Sequence, residues 1–468
     1  MRHNLLFFSL AASLLCFLSC TAVPFPERPD GATAPEGTST HIPIEKARKT
    51  VQDALDAMAA QTKGGVGRTI AEGYLVDRPH VTKSGLSVPG DTIPPYYVFN
   101  FDDDQGYALA SVDSRMSPIL CIIDQGHFSP DSVLTNPGQI ALLSRIETDY
   151  RMALGLPIEN ARGGIVQAEQ YASLEIPMIL MENENPDPEG TSDYYWIEYD
   201  PVPSYYGTGL STKWHQWFPF NNMMPVIDGT RCPTGCVTIA VAQVMNYHGR
   251  DVTLDGYYVD WDVVNEIGEY GNELSLLGKE MIANFVYKAA IAMDANITPT
   301  GTYIASWKVP SFLSSLGYTS GGTQANLDEE ALKTELSSNY PVLGEGYALR
   351  IPVQILGITI YYNYEEGHEW VYDKYMTLTT KRERYCNSML METTYSYSHL
   401  VHCNFGWGGF KNGYYYFGSY NTTSGPVYPS TGYVSYADAG LVTKSGILGD
   451  GTLDYYQFEL KMTTGIRP

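Results

Sequence analysis

Positive charge is scarce in this 468-residue chain. Lys and Arg number 29 against 52 Asp and Glu, which gives a formal charge of −23. A phosphate backbone is held by clustered Lys and Arg, so nucleic acid is set aside as a partner. Charge of either sign is sparse, at 17%, while hydrophobic residues make up 44%. Repeats and low-complexity tracts are also missing, and the composition is that of a globular chain. The length exceeds what one ordinary core organises, so two domains and a processed leader are expected.

Long apolar runs are as rare as basic residues. The first twenty residues, "MRHNLLFFSLAASLLCFLSC", carry one from Leu5 to Leu18 behind the basic Arg2. That is the layout of an export signal, here residues 1–19, and it is too short for a membrane span. The run ends in a small residue followed by Cys20, which resembles a bacterial lipoprotein box with Cys20 as the lipidated residue. The leucine stands second before the Cys rather than third, so two outcomes stand side by side: a lipid anchor on the outer membrane, or free secretion. Residues 20–41, rich in Pro, Gly, Ala and Thr, read as a flexible spacer.

Cysteine is limited to seven. Beyond Cys16 and Cys20 there remain Cys121, Cys232, Cys236, Cys386 and Cys403, an odd number. At least one thiol is therefore free in a monomer, and a free thiol in an exported protein is a candidate nucleophile.

Apolar residues at helical spacing predict a helix over 44–60. The segment "YYVFNFDDDQGYALASVDSRMSPILCIIDQGHF" reads as strands broken by the turn "DDDQG", hence hairpins. A second helix is expected over 137–155. These elements make residues 42–180 an α+β domain. The acidic, Pro/Gly-rich stretch "MENENPDPEGTSDYYW" then marks a linker over 181–205, open to proteolysis. Residues 206–468 follow with helices expected near 274–295 and 326–338, and Tyr- and Gly-rich strands from Tyr340 onward. Helices first and sheet later is an α+β order.

The sequence "RCPTGCVTIAVAQVMNYHG" places Cys232 and Cys236 ahead of an amphipathic helix. A structural zinc site needs four ligands, and "HLVHCNF", with His399, His402 and Cys403, is the only other close group, so no metal is expected. A disulfide between Cys232 and Cys236 would have to fold across Pro233 and Gly235. Cys236 stands where the helix begins, and the positive end of the helix dipole there is expected to lower its pKa. Its proton partner is not His248, which at twelve residues along the same helix lies roughly 18 Å away. His368 in "EEGHEWVYD" has the pattern of a histidine at the start of a strand. Asn404 in "HCNFGWGG" offers a side-chain oxygen to fix an imidazole tautomer, the orienting role in Cys-His-Asn peptidases.

That order, with "TGCVTIAVAQVMNYH", "GHEWVYD", "HCNFGWGGFKNGYY" and "KWHQWFPFNNMMPVI", resembles the streptopain family of papain-like cysteine peptidases. The tail "TTGIRP" is similar to the family's terminus, and residues 42–180 resemble its inhibitory prodomain. The resemblance implies an α+β, papain-like catalytic domain that needs no cofactor, acts on protein or peptide substrates, and is made as a zymogen inhibited by its own prodomain. It implies Cys236 as nucleophile, His368 as acid and base, Asn404 as orienter and Gln216 as an oxyanion-hole donor. Such a donor contributes about 3 kcal/mol in comparable hydrolases. It also implies that Trp407 shields the His-Asn bond, and that a hydrophobic side chain is preferred two residues before the cut.

The chain departs from the family in places. Phe405 stands where the family has Trp, and the segment between His368 and Asn404 is long, which predicts extra strands or a loop. Glu369, next to His368, is expected to raise the imidazole pKa if it points inward. Two other readings of the whole are a Cys-His amidase acting on cell-wall peptides and a surface-binding protein on a retired peptidase fold.

Overall fold

The computed structural model describes residues 40–61, 67–76, 96–129, 158–160, 165–166, 194–355, 358–417, 427–428 and 458–468. The leader, Cys20, the spacer up to residue 39, the helix expected over 137–155 and the linker over 181–193 lie outside the described residues. The first periodic segment forms helix α1, Ile44–Gln61, and buries Ala47, Val51, Ala54 and Leu55. Their spacing of three and four puts them on one face.

The expected hairpins form as well. Strands β1 (Ile70–Val76), β2 (Tyr96–Phe101), β3 (Tyr107–Ser111) and β4 (Ile119–Ile123) pair antiparallel in sequence order. The "DDDQG" turn sets Asp103 and Asp104 at φ 56° and 54°, where the short Asp side chain is tolerated. Gly106 in the same turn has φ 105°, and a Cβ there would lie 1.9 Å from the Ile123 carbonyl oxygen.

Further along come β5 (Tyr194–Glu198), β6 (Val202–Gly207), α2 (Cys236–His248), α3 (Leu276–Ala292), β7 (Ser320–Asn326) and α4 (Glu329–Ser337). Ser275 caps α3 by accepting from the Gly278 N–H, and Asp328 caps α4 by accepting from the Ala331 N–H. Each cap satisfies a helix-end donor that has no partner within the helix. The chain then turns to long strands: β8 (Val342–Ile355), β9 (Ile358–Cys386), β10 (Met389–Asn404), β11 (Gly413–Tyr416) and β12 (Phe458–Arg467).

These strands build one 12-stranded sheet in the order β1, β2, β3, β4, β11, β10, β9, β8, β12, β7, with β5 and β6 alongside β9. The four strands before the linker join the later ones through a single edge, where β4 pairs with β11 by Ile123↔Gly413, Ile122↔Tyr414 and Cys121↔Tyr415. The architecture is α+β, with helices grouped on the faces of an antiparallel sheet.

One sheet face carries a core of Val98, Leu109, Trp370, Tyr372, Val401 and Phe405 under Leu332 and Leu336 of α4. The opposite face has two cores, one under α2 and α3 with Val371 and Leu343, the other under α1 with Met376 and Leu400. Fully burying an aliphatic or aromatic side chain of this size contributes about 1.5–3 kcal/mol. The long segment between His368 and Asn404 forms the two arms of a hairpin. Its tip, Asn387 and Ser388, has φ 49° and 64°, as a two-residue turn between twisted strands requires.

Candidate active site

The turn ahead of α2 is held from three sides. Thr234 N–H donates to the Gln216 carbonyl at 3.0 Å, Thr302 Oγ1 donates to the Pro233 carbonyl at 2.6 Å, and Asn221 Nδ2 donates to the Cys232 carbonyl at 3.1 Å. Gly235 has φ 88°, and a Cβ at that position would lie 2.5 Å from the Thr302 carbonyl oxygen. Only glycine fits both the angle and the space. Cys236 opens the helix, while Cys232 is a fully buried thiol inside the turn. All five described cysteines are free.

The Cys236 sulfur is met by three backbone N–H groups, those of Glu369, Val237 and Cys236 itself. The sequence predicts a lowered pKa at this helix start, and the structure reverses the sign: burial pushes the thiol up to about 12. Desolvation of the thiolate outweighs the N–H groups, and the Glu369 carboxyl acts in the same direction as burial.

His368 lies on β9 opposite Gly346 and is buried. Its Nε2 donates to the Phe405 carbonyl at 2.7 Å. A carbonyl only accepts, so this bond places the neutral ring's proton on Nε2. Burial and the Lys411 ammonium lower the imidazole to about 4 against the help of that carbonyl, so the ring is neutral at pH 7. The Trp407 ring lies 4.7 Å from it, and Phe405 stacks on Trp407 at 5.3 Å. Trp370 closes the other side at 6.3 Å.

The structure corrects the expected role of Asn404. Its Nδ2 donates to the Thr212 carbonyl at 2.7 Å and to Gln243 Oε1 at 3.1 Å, and its oxygen accepts from the Gly406 N–H. The atom on the imidazole is the carbonyl of the next residue. Trp407 accordingly covers a His-to-backbone bond rather than a His-Asn bond. The condition set for Glu369, that it point inward, is not met. Strand alternation turns its side chain to the opposite sheet face from His368, where it bonds Ser306, and the imidazole is lowered by burial and Lys411 without it.

Gln216 is half-buried beside the nucleophile turn, tied to it through its own carbonyl. The glycine loop is tied to the same segment by Gly408 N–H on the Trp214 carbonyl at 3.0 Å. These bonds tie together the segments that carry Cys236, His368, Gln216 and Trp407, and Asn404 holds two of those segments through Thr212 and Gln243. His248 sits at the far end of α2 against Tyr318 and Tyr340.

Residues 214–415 match the Peptidase C10 family, and residues 39–149 match the Spi protease inhibitor family. The chain carries a C10-family cysteine peptidase domain behind an inhibitor-type prodomain. A Prevotella intermedia prointerpain A fragment, in mutant form, is similar at 17% identity over 85% of this chain and 99% of that one, with a TM-score of 0.43. Active wild-type Prevotella intermedia interpain A cysteine protease is similar at 18% identity over 56% of this chain and 96% of that one, with a TM-score of 0.35. No curated protein matches the chain.

In this C10 peptidase the inhibitor domain reaches toward the imidazole through a short series of bonds. Asp124, just past β4, donates its N–H to the Asn412 carbonyl at 3.0 Å. The Asn412 side-chain oxygen accepts from the Phe405 N–H at 3.0 Å, and the Phe405 carbonyl holds His368. Charges reinforce the seam: His402 Nε2 lies 2.9 Å from Asp124, its Nδ1 bonds Asp373, and Lys374 lies 2.8 Å from Asp373. Burial opposes charge on His402, but the carboxylates of Asp373 and Asp124 hold its pKa above the ordinary value. Burial likewise opposes charge on Asp124, and His402, Arg68 and Lys374 hold it well below the usual range.

Two positioning residues of the C10 site escape the sequence reading. Gln243 receives both the Trp214 N–H and Asn404 Nδ2, and Asn412 fixes Phe405. The signal for Gln243 was a polar residue inside the apolar run "AVAQVM". Asn412 carries no comparable mark, since asparagine before glycine reads as a turn.

Proposed function

We propose that the chain is an exported cysteine endopeptidase, made as a self-inhibited zymogen, in which Cys236 attacks the scissile carbonyl. The observation that carries this reading is the Cys236 thiol lying on the backbone N–H of the residue that follows His368. His368 takes the thiol proton, donates it to the leaving amine and then activates the water that hydrolyses the acyl-enzyme. The tetrahedral oxyanion is received by the Cys236 N–H and the Gln216 side chain. Phe405 and Trp407 keep the imidazole in place and dry, and Asn404 holds the loop that carries them.

Latency follows from the same groups. A thiol near 12 and an imidazole near 4 form no thiolate-imidazolium pair at neutral pH, which supports a latent precursor. Release of residues 42–180 by a cut between about 180 and 210 is the activating step in this reading, with residues 206–468 as the mature catalytic domain. Export by residues 1–19 leaves the enzyme either lipid-anchored through Cys20 on the bacterial envelope or secreted. Protein and peptide substrates and the chain's own prodomain are its partners.

The test is a thiol-directed epoxide inhibitor applied before and after processing, with the labelled residue identified by mass spectrometry. Selective labelling of Cys236 after processing is expected. Equal labelling of other cysteines contradicts the reading.

A further inference from the structure

Glu369 leaves a buried oxygen without a partner beside the nucleophile. The residue is 2% exposed, its Oε2 has no hydrogen-bond partner among the described residues, and its one side-chain bond is to Ser306. Directly opposite on β8 stands Glu345, 9% exposed. Opposed residues of an antiparallel pair share a sheet face, here the face that packs under α2 through Leu343 and Val371. Two buried carboxyls therefore meet next to the start of that helix.

Among the described residues neither acid is matched by a cation. Glu345 accepts from Gln324 Nε2 and Tyr347 Oη, each at 2.8 Å, and both donors are neutral. Lys461 faces Glu345 across β12, but its ammonium lies on Glu459 at 3.6 Å. Burial and the neighbouring Glu345 raise Glu369 to about 8, so it waits as a neutral acid. A cation brought into reach would ionise it and supply the partner that Oε2 lacks.

The location ties this pair to the reacting bond. The Cys236 sulfur is on the Glu369 N–H, and the thiol is close enough to feel Glu369 whenever that carboxyl is ionised. The segment that supplies Ser306 also presents Trp307, 66% exposed, and Tyr303, 56% exposed. Aromatic faces of this kind receive the stem and charge of Arg or Lys.

We propose that Glu369 and Glu345 form the acidic end of a substrate side-chain pocket that selects arginine or lysine close to the scissile bond. The proposal rests on Cys236 being the nucleophile, and it departs from the hydrophobic preference that the family resemblance implies.

The test uses the full-length chain, reduced and allowed to process, with matched fluorogenic peptides. Each pair carries Arg or citrulline, which has nearly the same shape without the charge, at one of the three positions on either side of the bond. At one position kcat/KM is expected to favour Arg by about tenfold or more, and Glu369→Gln is expected to bring that ratio below about threefold. Arg-to-citrulline ratios near one at every position in the wild type overturn the proposal, whether or not the variants fold. A preference that survives unchanged in both Glu369→Gln and Glu345→Gln also overturns it. Failure to cut any peptide, citrulline series included, instead removes the nucleophile reading on which the proposal stands.

Discussion

His368 donates its Nε2–H to the carbonyl of Phe405 at 2.7 Å, so a backbone atom fixes the orientation of the ring. This separates two roles that one asparagine combines in the Cys-His-Asn arrangement. Orientation belongs to the Phe405 peptide, and bracing belongs to Asn404 and Asn412.

For Asn404 the expected loss is structural. Asn404→Ala removes bonds to the Thr212 carbonyl and Gln243, both buried, and should destabilise the protein by about 2–3 kcal/mol. The acid limb of the kcat/KM pH profile should stay where it is, because the imidazole keeps its partner. Urea denaturation and a pH profile read the two effects separately. A displaced acid limb with unchanged stability would return Asn404 to the orienting role.

Asn412 should behave in the opposite way. Asn412→Ala frees the Phe405 N–H and lets the carbonyl on His368 drift, so kcat should fall roughly 10–100-fold, as for other outer partners of catalytic groups. KM should change by less than about threefold, because Asn412 does not face substrate. Steady-state kinetics on the processed variant decide it.

Acid should loosen the precursor. His368, His248 and His399 are each lowered by burial to about 4 from an ordinary value of 6.5. Above pH 6.5 all three are neutral both folded and unfolded, and none costs stability. As pH falls from 6.5 toward 4 the unfolded chain takes up protons that the folded one refuses, so stability declines across that window. For fully buried His368 the whole effect is on the order of 3 kcal/mol. His402 and Glu369, whose pKa values are raised, take up protons in the folded state and work against the trend without cancelling three groups. Urea midpoints at pH 7.5, 6 and 4.5 should decrease in that order; a flat series contradicts these assignments.

The prodomain seam gives a fourth prediction. Asp124→Ala strips His402 of one of its two carboxylates and leaves its buried Nε2 without that partner. Docking of the inhibitor domain should weaken, and the precursor should process roughly tenfold faster, a loss of about 1.4 kcal/mol. Kinetics of the mature enzyme should be unchanged, since Asp124 lies in the segment that is removed. Gel time courses of the two precursors check this.

Much of the architecture was legible because local patterns dominate it. The stripe Ala47, Val51, Leu55 made α1 visible, and the "DDDQG" turn marked the hairpin between β2 and β3. The helix start at Cys236 was readable from Pro233, Thr234 and Gly235, and the length of the segment after His368 was readable as either extra strands or a loop. The single sheet across both halves was not readable, because the pairing of Ile122 with Tyr414 joins residues nearly three hundred positions apart, and no local pattern encodes such register. The pKa of Cys236 was misjudged in sign for a related reason. The helix dipole can be read from position, but desolvation depends on what the fold packs above the thiol.

The central claim is that Cys236 is the nucleophile of a self-processing peptidase. Incubating the purified full-length wild type and Cys236→Ala side by side under reducing conditions, and following chain length and casein hydrolysis together, tests it most directly. Only the wild type should shorten and gain activity, while the variant stays full-length and inert. Shortening with casein hydrolysis in Cys236→Ala would contradict it.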